Sequence, residues 1–75
     1  MEPYIERMLQ EFKELNGRAD KLEAFTDGQI FLGLPPHKQK LMLLQYSAMR
    51  SYQEALGERI KCEGYDPMTG NELEG

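Results

Sequence analysis

An all-α fold is predicted by this sequence: a two-helix antiparallel hairpin over residues 1–63 that oligomerises into a helical bundle. Two long segments repeat apolar residues at intervals of three and four, which is the spacing of one helical face. Turn-forming pairs, Asp27-Gly28 and Pro35-Pro36, separate the two segments. Residues 64–75 follow as a polar, turn-rich C-terminal tail.

The first helix is expected over residues 3–26. Pro3 suits a first helical turn, where its missing N–H costs nothing. The stripe consists of Ile5, Met8, Phe12, Leu15, Ala19 and Leu22. Gly17 costs about 1 kcal/mol of helix propensity relative to alanine, so it marks a kink or the close approach of another backbone. Gly28 is expected to stop the helix in the left-handed conformation.

Residues 29–36 form a connector that is unusually apolar for a loop. We expect its large side chains to fold back over the end of the hairpin; they are Ile30, Phe31, Leu32 and Leu34. Pro35 and Pro36 impose extended backbone and then start the second helix near Pro36.

The second helix, over residues 36–62, contains four consecutive apolar residues. Four such residues span roughly 300° of the helix circumference, whereas one antiparallel partner covers a stripe nearer 100–140° wide. The first helix therefore cannot cover them all, and the sequence predicts an oligomer interface at Leu41, Met42, Leu43, Leu44 and Met49. The two helical segments carry net charges of −3 (residues 2–27) and +2 (residues 36–63), whose signs favour their pairing.

Composition excludes several classes of function. The net charge of −4 disfavours non-specific binding to nucleic acid. No stretch approaches the ~20 apolar residues of a membrane span, and the first residues lack the pattern of a secretory signal, so we expect a cytoplasmic protein without membrane contact. One cysteine cannot form an internal disulfide, and one cysteine with one histidine cannot build a Cys/His zinc site. We expect neither a metal nor a cofactor.

Catalytic residues are not indicated either. His37 has no serine or cysteine near it in the sequence, so it is expected to be a surface residue. Cys62 is expected to be an ordinary, partly buried small residue. The sequence therefore predicts that the protein is not an enzyme.

Five residues are candidates for binding a ligand: Tyr46, Arg50, Tyr52, Arg59 and Lys21. Tyrosines stack on bases, and arginine forks grip phosphate through two parallel hydrogen bonds. Tyr46 and Arg50 lie one helical turn apart on one face, with Glu54 placed to orient Arg50. Tyr52 and Arg59 share another face, while Lys21 could join the first pair in an oligomer. The same spacing also fits a structural role without a ligand, in which the tyrosines lie at a helix interface and the arginine side chains extend along apolar surface.

A further pattern includes Lys21-Leu22-Glu23-Ala24-Phe25, Phe31, Leu34-Pro35, Leu44, Gln45, Met49, Tyr52, Leu56 and Arg59-Ile60. Over residues 4–61 it resembles a family of small bacteriophage and prophage proteins related to a crAss-like phage protein. These are mostly core positions, so the resemblance implies a fold. More distantly, the architecture is similar to the helical hairpins of phage anti-CBASS and anti-Thoeris sponge proteins, which form oligomers and sequester the cyclic nucleotides that activate bacterial immunity.

Two classes of function follow. The first is a phage-type accessory protein of the host cytoplasm that counters bacterial immunity as a homo-oligomer sequestering a cyclic nucleotide. The second is a protein-binding inhibitor that covers a host defence protein with the apolar face of its second helix; a structural accessory protein is a further alternative. Convergence of Tyr46, Arg50, Lys21 or Arg59 in a pocket between chains would separate the first two.

Overall fold

The computed structural model describes residues 1–74, in which three helices follow one another: α1 (Pro3–Thr26), α2 (Gln29–Leu32) and α3 (Pro36–Cys62). Tyr4, near the start of α1, donates a hydrogen bond to Glu63, just after α3 (2.8 Å). Tyr46, in the first half of α3, donates to Glu23 near the end of α1. The two long helices therefore pack side by side in opposite directions. The predicted all-α class is confirmed, and the described chain contains one isolated β-bridge but no strand.

Both long helices begin at a proline, Pro3 and Pro36, whose missing N–H is not needed in a first turn. The expectation that Gly28 takes the left-handed conformation was wrong, since its φ is −96°. Gly28 instead precedes the first residue of α2 in extended backbone, while Asp27 ends α1 through its N–H on the Glu23 carbonyl (3.2 Å). The left-handed glycine at a helix end is Gly64, with a φ of +91° after α3.

The core lies toward the end of the molecule where the start of α1 meets the end of α3. Met8 and Phe12 of α1 cluster there with Leu56 and Ile60 of α3. Along α1 the whole predicted stripe from Ile5 to Ala19 is buried, and Leu22 is half-buried. The buried set is Ile5, Met8, Phe12, Leu15, Ala19, Phe31, Leu56 and Ile60. Burial thus follows the spacing of three and four that the sequence displays.

The connector covers the other end of the hairpin with only part of its apolar surface. Phe31 is buried and meets Phe25 edge to face, with ring centroids 6.5 Å apart, while Leu34 is half-buried. The expectation for Ile30 and Leu32 was wrong, because they are 72% and 70% exposed. α2 is a single turn, so residues flanking Phe31 point roughly 100° away from it on either side.

The tail folds back onto the hairpin instead of extending from it. The Leu73 N–H donates to the Gly64 carbonyl (2.8 Å), and the Asp66 carboxylate accepts the Met68 N–H (2.8 Å), which closes a turn at Asp66-Pro67. Pro67 reaches α3 beside Gly57. The open end of the hairpin is therefore covered by the chain's own C-terminal residues.

The apolar residues of α3 that were predicted to form an oligomer interface lie on different faces of the helix. Met42 and Met49 are half-buried and, at intervals of seven from Leu56, lie on the side of α3 that faces α1. Leu41, Leu43 and Leu44 are exposed by 61%, 49% and 57%. Among residues 1–74, no helix combines the length and apolar character that crossing a bilayer demands.

Candidate functional site

Arg50 is the centre of a polar cluster that joins α3 to α1. We call this the Arg50 cluster; it comprises Asn16, Asp20, Glu23, Tyr46, Arg50 and Gln53. The Arg50 Nη2 donates to Asp20 Oδ1 (2.7 Å), and its Nε donates to the Tyr46 hydroxyl (3.0 Å). The guanidinium carbon lies 5.1 Å from the centroid of the Tyr46 ring, which adds a cation–π contact.

The remaining bonds of the cluster complete the link between the helices. The Arg50 Nη1 donates to Gln53 (2.8 Å) and to Asn16 (3.3 Å), while the Gln53 amide donates to the same Asn16 oxygen (2.7 Å). The hydrogen bonds to Asp20 and then to Tyr46 raise the pKa of Arg50 above its ordinary value. Arg50 is therefore a fixed positive charge whose orientation is set inside one chain.

This arrangement changes the role predicted for Arg50. A guanidinium has five N–H donors, and four of them are already used inside the chain. A two-bond grip on phosphate would have to break at least one of these four bonds. The predicted orienting residue was also wrong: Asp20 and Gln53 hold the guanidinium, while Glu54 is exposed and makes no hydrogen bond to it.

Tyr52 and Arg59 lie on the opposite edge of the helix contact. Tyr52 is two residues from Arg50 and so roughly 200° away around α3. Its hydroxyl donates to Glu11, and this hydrogen bond, with a smaller effect of burial, raises the pKa of Tyr52. The Arg59 Nη2 approaches the Met8 sulfur at 3.9 Å. One chain thus brings Tyr46 to Arg50 and Tyr52 near Arg59, but it does not bring the two pairs together.

Lys21 stands apart from both pairs, on the exposed side of α1. It borders a shallow depression at Gly17 together with Lys13 and Arg18. The ion pairs among residues 1–74 join Arg50 to Asp20 and Glu23, and Lys61 to Glu58, so none involves these three cations. Within residues 1–74, the depression that Lys21 borders has neither Tyr46 nor Arg50 in its lining.

A groove of about 490 Å³ lies between α3 and the tail, and we call it the Gly57 groove. Its lining consists of Phe12, Arg50, Gln53, Glu54, Gly57, Glu58, Lys61, Asp66, Pro67 and Met68. Gly57 allows the close packing beneath it, since a Cβ there would lie 3.1 Å from Phe12 Cε2 and 3.7 Å from Pro67 Cγ. Arg50 and Lys61 border the groove roughly 16 Å apart along the helix.

Sequence reasoning missed this groove because the tail supplies part of its wall. The available signal was Gly57, a glycine inside an otherwise regular helical pattern, which marks a close approach of other atoms. His37 is exposed, as expected, but Cys62 is exposed where partial burial was expected. Within residues 1–74, no three His, Cys, Asp or Glu side chains are placed to hold a metal ion.

Comparison with known proteins finds a relative of this chain. The chain is 33% identical over 57 residues to an uncharacterized 7.5 kDa protein from the denB–rIIB intergenic region of Enterobacteria phage T4. The alignment covers 76% of this chain and 89% of the phage protein. The fold and this likeness define a small helical protein of a phage-associated family, which confirms the resemblance at that level.

The family itself follows from a second comparison. Residues 2–62 match the model of the Sequestin family, so the chain belongs to the Sequestin family. The name suggests a sequestering function. The match ends with α3, so the tail that closes the Gly57 groove lies beyond the matched residues. No solved structure matches the chain. The link to a crAss-like phage protein and the likeness to anti-CBASS and anti-Thoeris sponges stay predictions.

Proposed function

We propose that this protein is a phage accessory protein that counters bacterial immunity in the host cytoplasm by sequestering a cyclic nucleotide signal. The Gly57 groove is the observation that carries the proposal. Its floor at Phe12 and Pro67 is apolar, and two cations, Arg50 and Lys61, border it. An apolar surface suits a flat base, and separated positive charges suit phosphates.

The protein binds its ligand without converting it. The residues lining the groove include no serine, threonine, cysteine or histidine, so it lacks the hydroxyl, thiol and imidazole groups of many catalytic sites. Arg50 is held rigidly by Asp20 and Tyr46, so its remaining N–H meets a ligand without further ordering of the side chain. Sequestration then depends on the amount of protein made, because each site removes one ligand.

The working form is a homo-oligomer in which antiparallel hairpins assemble into a helical bundle. In one chain the groove contains three carboxylates, Glu54, Glu58 and Asp66, against its two cations. This balance opposes an anionic ligand. A second copy that supplies positive charge at the groove would offset this excess of negative charge.

A protein-binding inhibitor is the second candidate, and the exposed leucines of α3 favour it. Leu41 and Leu44 are more than half exposed, and their apolar surface would suit a host defence protein as well as another copy of the chain. The two candidates differ in whether a small molecule or a protein is captured.

Thermal unfolding with a panel of cyclic nucleotides tests the proposal. A ligand at 100 times its dissociation constant adds about 2.7 kcal/mol of stability, which is an increase of roughly 10 °C or more in Tm for a domain of this size. Chromatography of the ligand recovered after denaturation should show it unchanged. A modified ligand would indicate an enzyme.

Lys61→Ala should reduce the Tm increase and raise the Kd for the ligand, while Lys38→Ala, an exposed lysine on the same helix away from the groove, should leave both unchanged. Arg50→Ala is a poor probe of binding because it also breaks the link between α1 and α3. If no nucleotide raises the Tm and the protein captures a host protein from infected cells, the inhibitor function replaces sequestration.

A further inference from the structure

α3 carries a second stripe, uncharged and mostly apolar, on the side turned away from α1. Leu41, Leu44, Ala48, Ser51 and Ala55 follow one another at intervals of three and four, and all five are exposed. The stripe, which we call the outer seam, runs for four helical turns without a charged residue. That is unusual for surface in a chain with 29% charged residues. Its spacing is the one by which two helices pack along a common seam.

We propose that the outer seam binds the same seam of a second copy, with the two α3 helices antiparallel and a two-fold axis near Ala48. The inference rests on the proposed homo-oligomer and specifies its interface. Side-chain size supports this orientation. The leucines, Leu41 and Leu44, occupy the first half of the seam, and the small residues occupy the second half. An antiparallel pair places large side chains opposite small ones, whereas a parallel pair places leucine against leucine and leaves a gap at the alanines.

Charge supports the same orientation. Residues 36–47 carry a net charge of +2, from Lys38 and Lys40, while residues 52–63 carry −1. A parallel pair would bring like charges together along the whole helix. In the antiparallel pair each positive half meets the partner's negative half. The energy per exposed pair is small, but its sign selects between two otherwise similar packings.

One flank of the seam links this interface to the Gly57 groove. Lys40 and Glu58 are 18 residues apart, which is five whole turns, so they lie on the same flank of α3. In an antiparallel two-fold pair a flank meets the same flank of the partner. Lys40 of the second copy therefore approaches Glu58 and Glu54, two of the three carboxylates of the groove. The second copy supplies the positive charge that one chain lacks there.

Two adjacent leucines provide the first test. Leu44 lies in the outer seam, whereas Leu43 is similarly exposed but points about 100° away. Sedimentation at micromolar concentration should give a dimeric mass for the unmodified protein and for Leu43→Glu, and half that mass for Leu44→Glu with its helical circular dichroism retained. A monomeric unmodified protein, or an intact Leu44→Glu dimer, would overturn the proposal.

Cross-linking tests the orientation, with Cys62→Ser as background. Ala48→Cys should form a disulfide-linked dimer under mild oxidation. Leu41→Cys alone should not, because its copies lie roughly 21 Å apart along an antiparallel pair, but a mixture of Leu41→Cys with Ala55→Cys should. Self-linking of Leu41→Cys, which a parallel pair requires, would refute the antiparallel arrangement.

Charge reversal tests the proposed contact between Lys40 of one copy and Glu58 of the other. Lys40→Glu and Glu58→Lys should each raise the dimer dissociation constant several-fold, and the double variant should recover most of the loss. An additive loss in the double variant would exclude the contact.

Ligand binding separates failure of this interface from failure of the proposed function. If the dimer forms through the seam but no cyclic nucleotide raises the Tm, the interface stands and sequestration fails. If nucleotides bind while Leu44→Glu stays dimeric, sequestration stands and the seam is wrong.

Discussion

The two faces of α3 have similar apolar content and opposite surroundings. On the inner face Leu56 and Ile60 are almost completely buried against α1. On the outer face Leu41 and Leu44 are more than half exposed, although they too are large aliphatic residues about one helical turn apart. The apolar pattern of a helix therefore does not by itself identify what packs against each face. On the inner face of α3 the packing partner is α1 of the same chain.

Truncation of a side chain on the inner face should have the largest effect on the free energy of unfolding. Leu56→Ala removes a side chain that is 1% exposed in the core, and such a change costs about 2–5 kcal/mol, enough to unfold much of a small domain. Chemical denaturation measures the loss. Leu44→Ala is the matched control, measured at a protein concentration low enough for the chain to be monomeric. Equal losses for the two leucines would contradict the assignment of inner and outer faces.

Arg50, at the edge of the inner face, should have a smaller effect. Arg50→Ala breaks hydrogen bonds to Asp20 and Asn16 across the helix contact and should cost about 1–2 kcal/mol, since the guanidinium is part-exposed and solvent screens its ion pair. Arg59→Ala, which removes a weaker contact across the helices, to the Met8 sulfur, should cost less. Thermal unfolding of both variants makes the comparison, and a larger loss for Arg59→Ala would show that the Arg50 cluster does not hold the helices together.

The buried stripe of α1 was predictable from sequence, and much of the site was not. Periodicity located the α1 stripe from Ile5 to Ala19, and the prolines marked both helix starts, because these signals are local. The partners of Arg50 were not predictable. Asn16 and Asp20 lie 34 and 30 residues away, and their proximity depends on the register between the two helices. The Gly57 groove was missed for the same reason, since the tail that walls it returns to α3 only in three dimensions.

Two glycines inside the helices, Gly17 and Gly57, are expected to respond differently to substitution by alanine. Gly17 has open space where a Cβ would lie, so no close backbone explains it, and Gly17→Ala should stabilise the protein by about 0.5–1 kcal/mol through helix propensity. Gly57→Ala should not give this gain, because its methyl group would press on the buried Phe12 ring. Equal increases in Tm for both variants would indicate that the ring moves aside freely.

Tyr52, at the boundary between the two faces, should show the smallest effect, which appears only in alkali. Its hydroxyl donates to Glu11, and ionisation removes this donor and leaves two negative charges in contact, so the pKa in the folded state is raised above about 10. A raised pKa means that the bond stabilises the folded state below about pH 10 and that this contribution is lost as the pH rises through the raised value. Ultraviolet titration should give a lower tyrosine midpoint for Glu11→Ala than for the unmodified protein. An unchanged midpoint would show that the pair does not persist in solution.

The folded-back tail also governs how the hairpin opens. Helices fray first at their ends, and here the first turn of α1 and the last turn of α3 meet at the end that has no connector. Gly64 reverses the chain there, and residues 65–73 return across both helices. The bundle is consequently closed at both ends, by the connector at one and by the tail at the other. Its slowest-exchanging amides should therefore extend into both of these terminal turns instead of being confined to the middle of the helices.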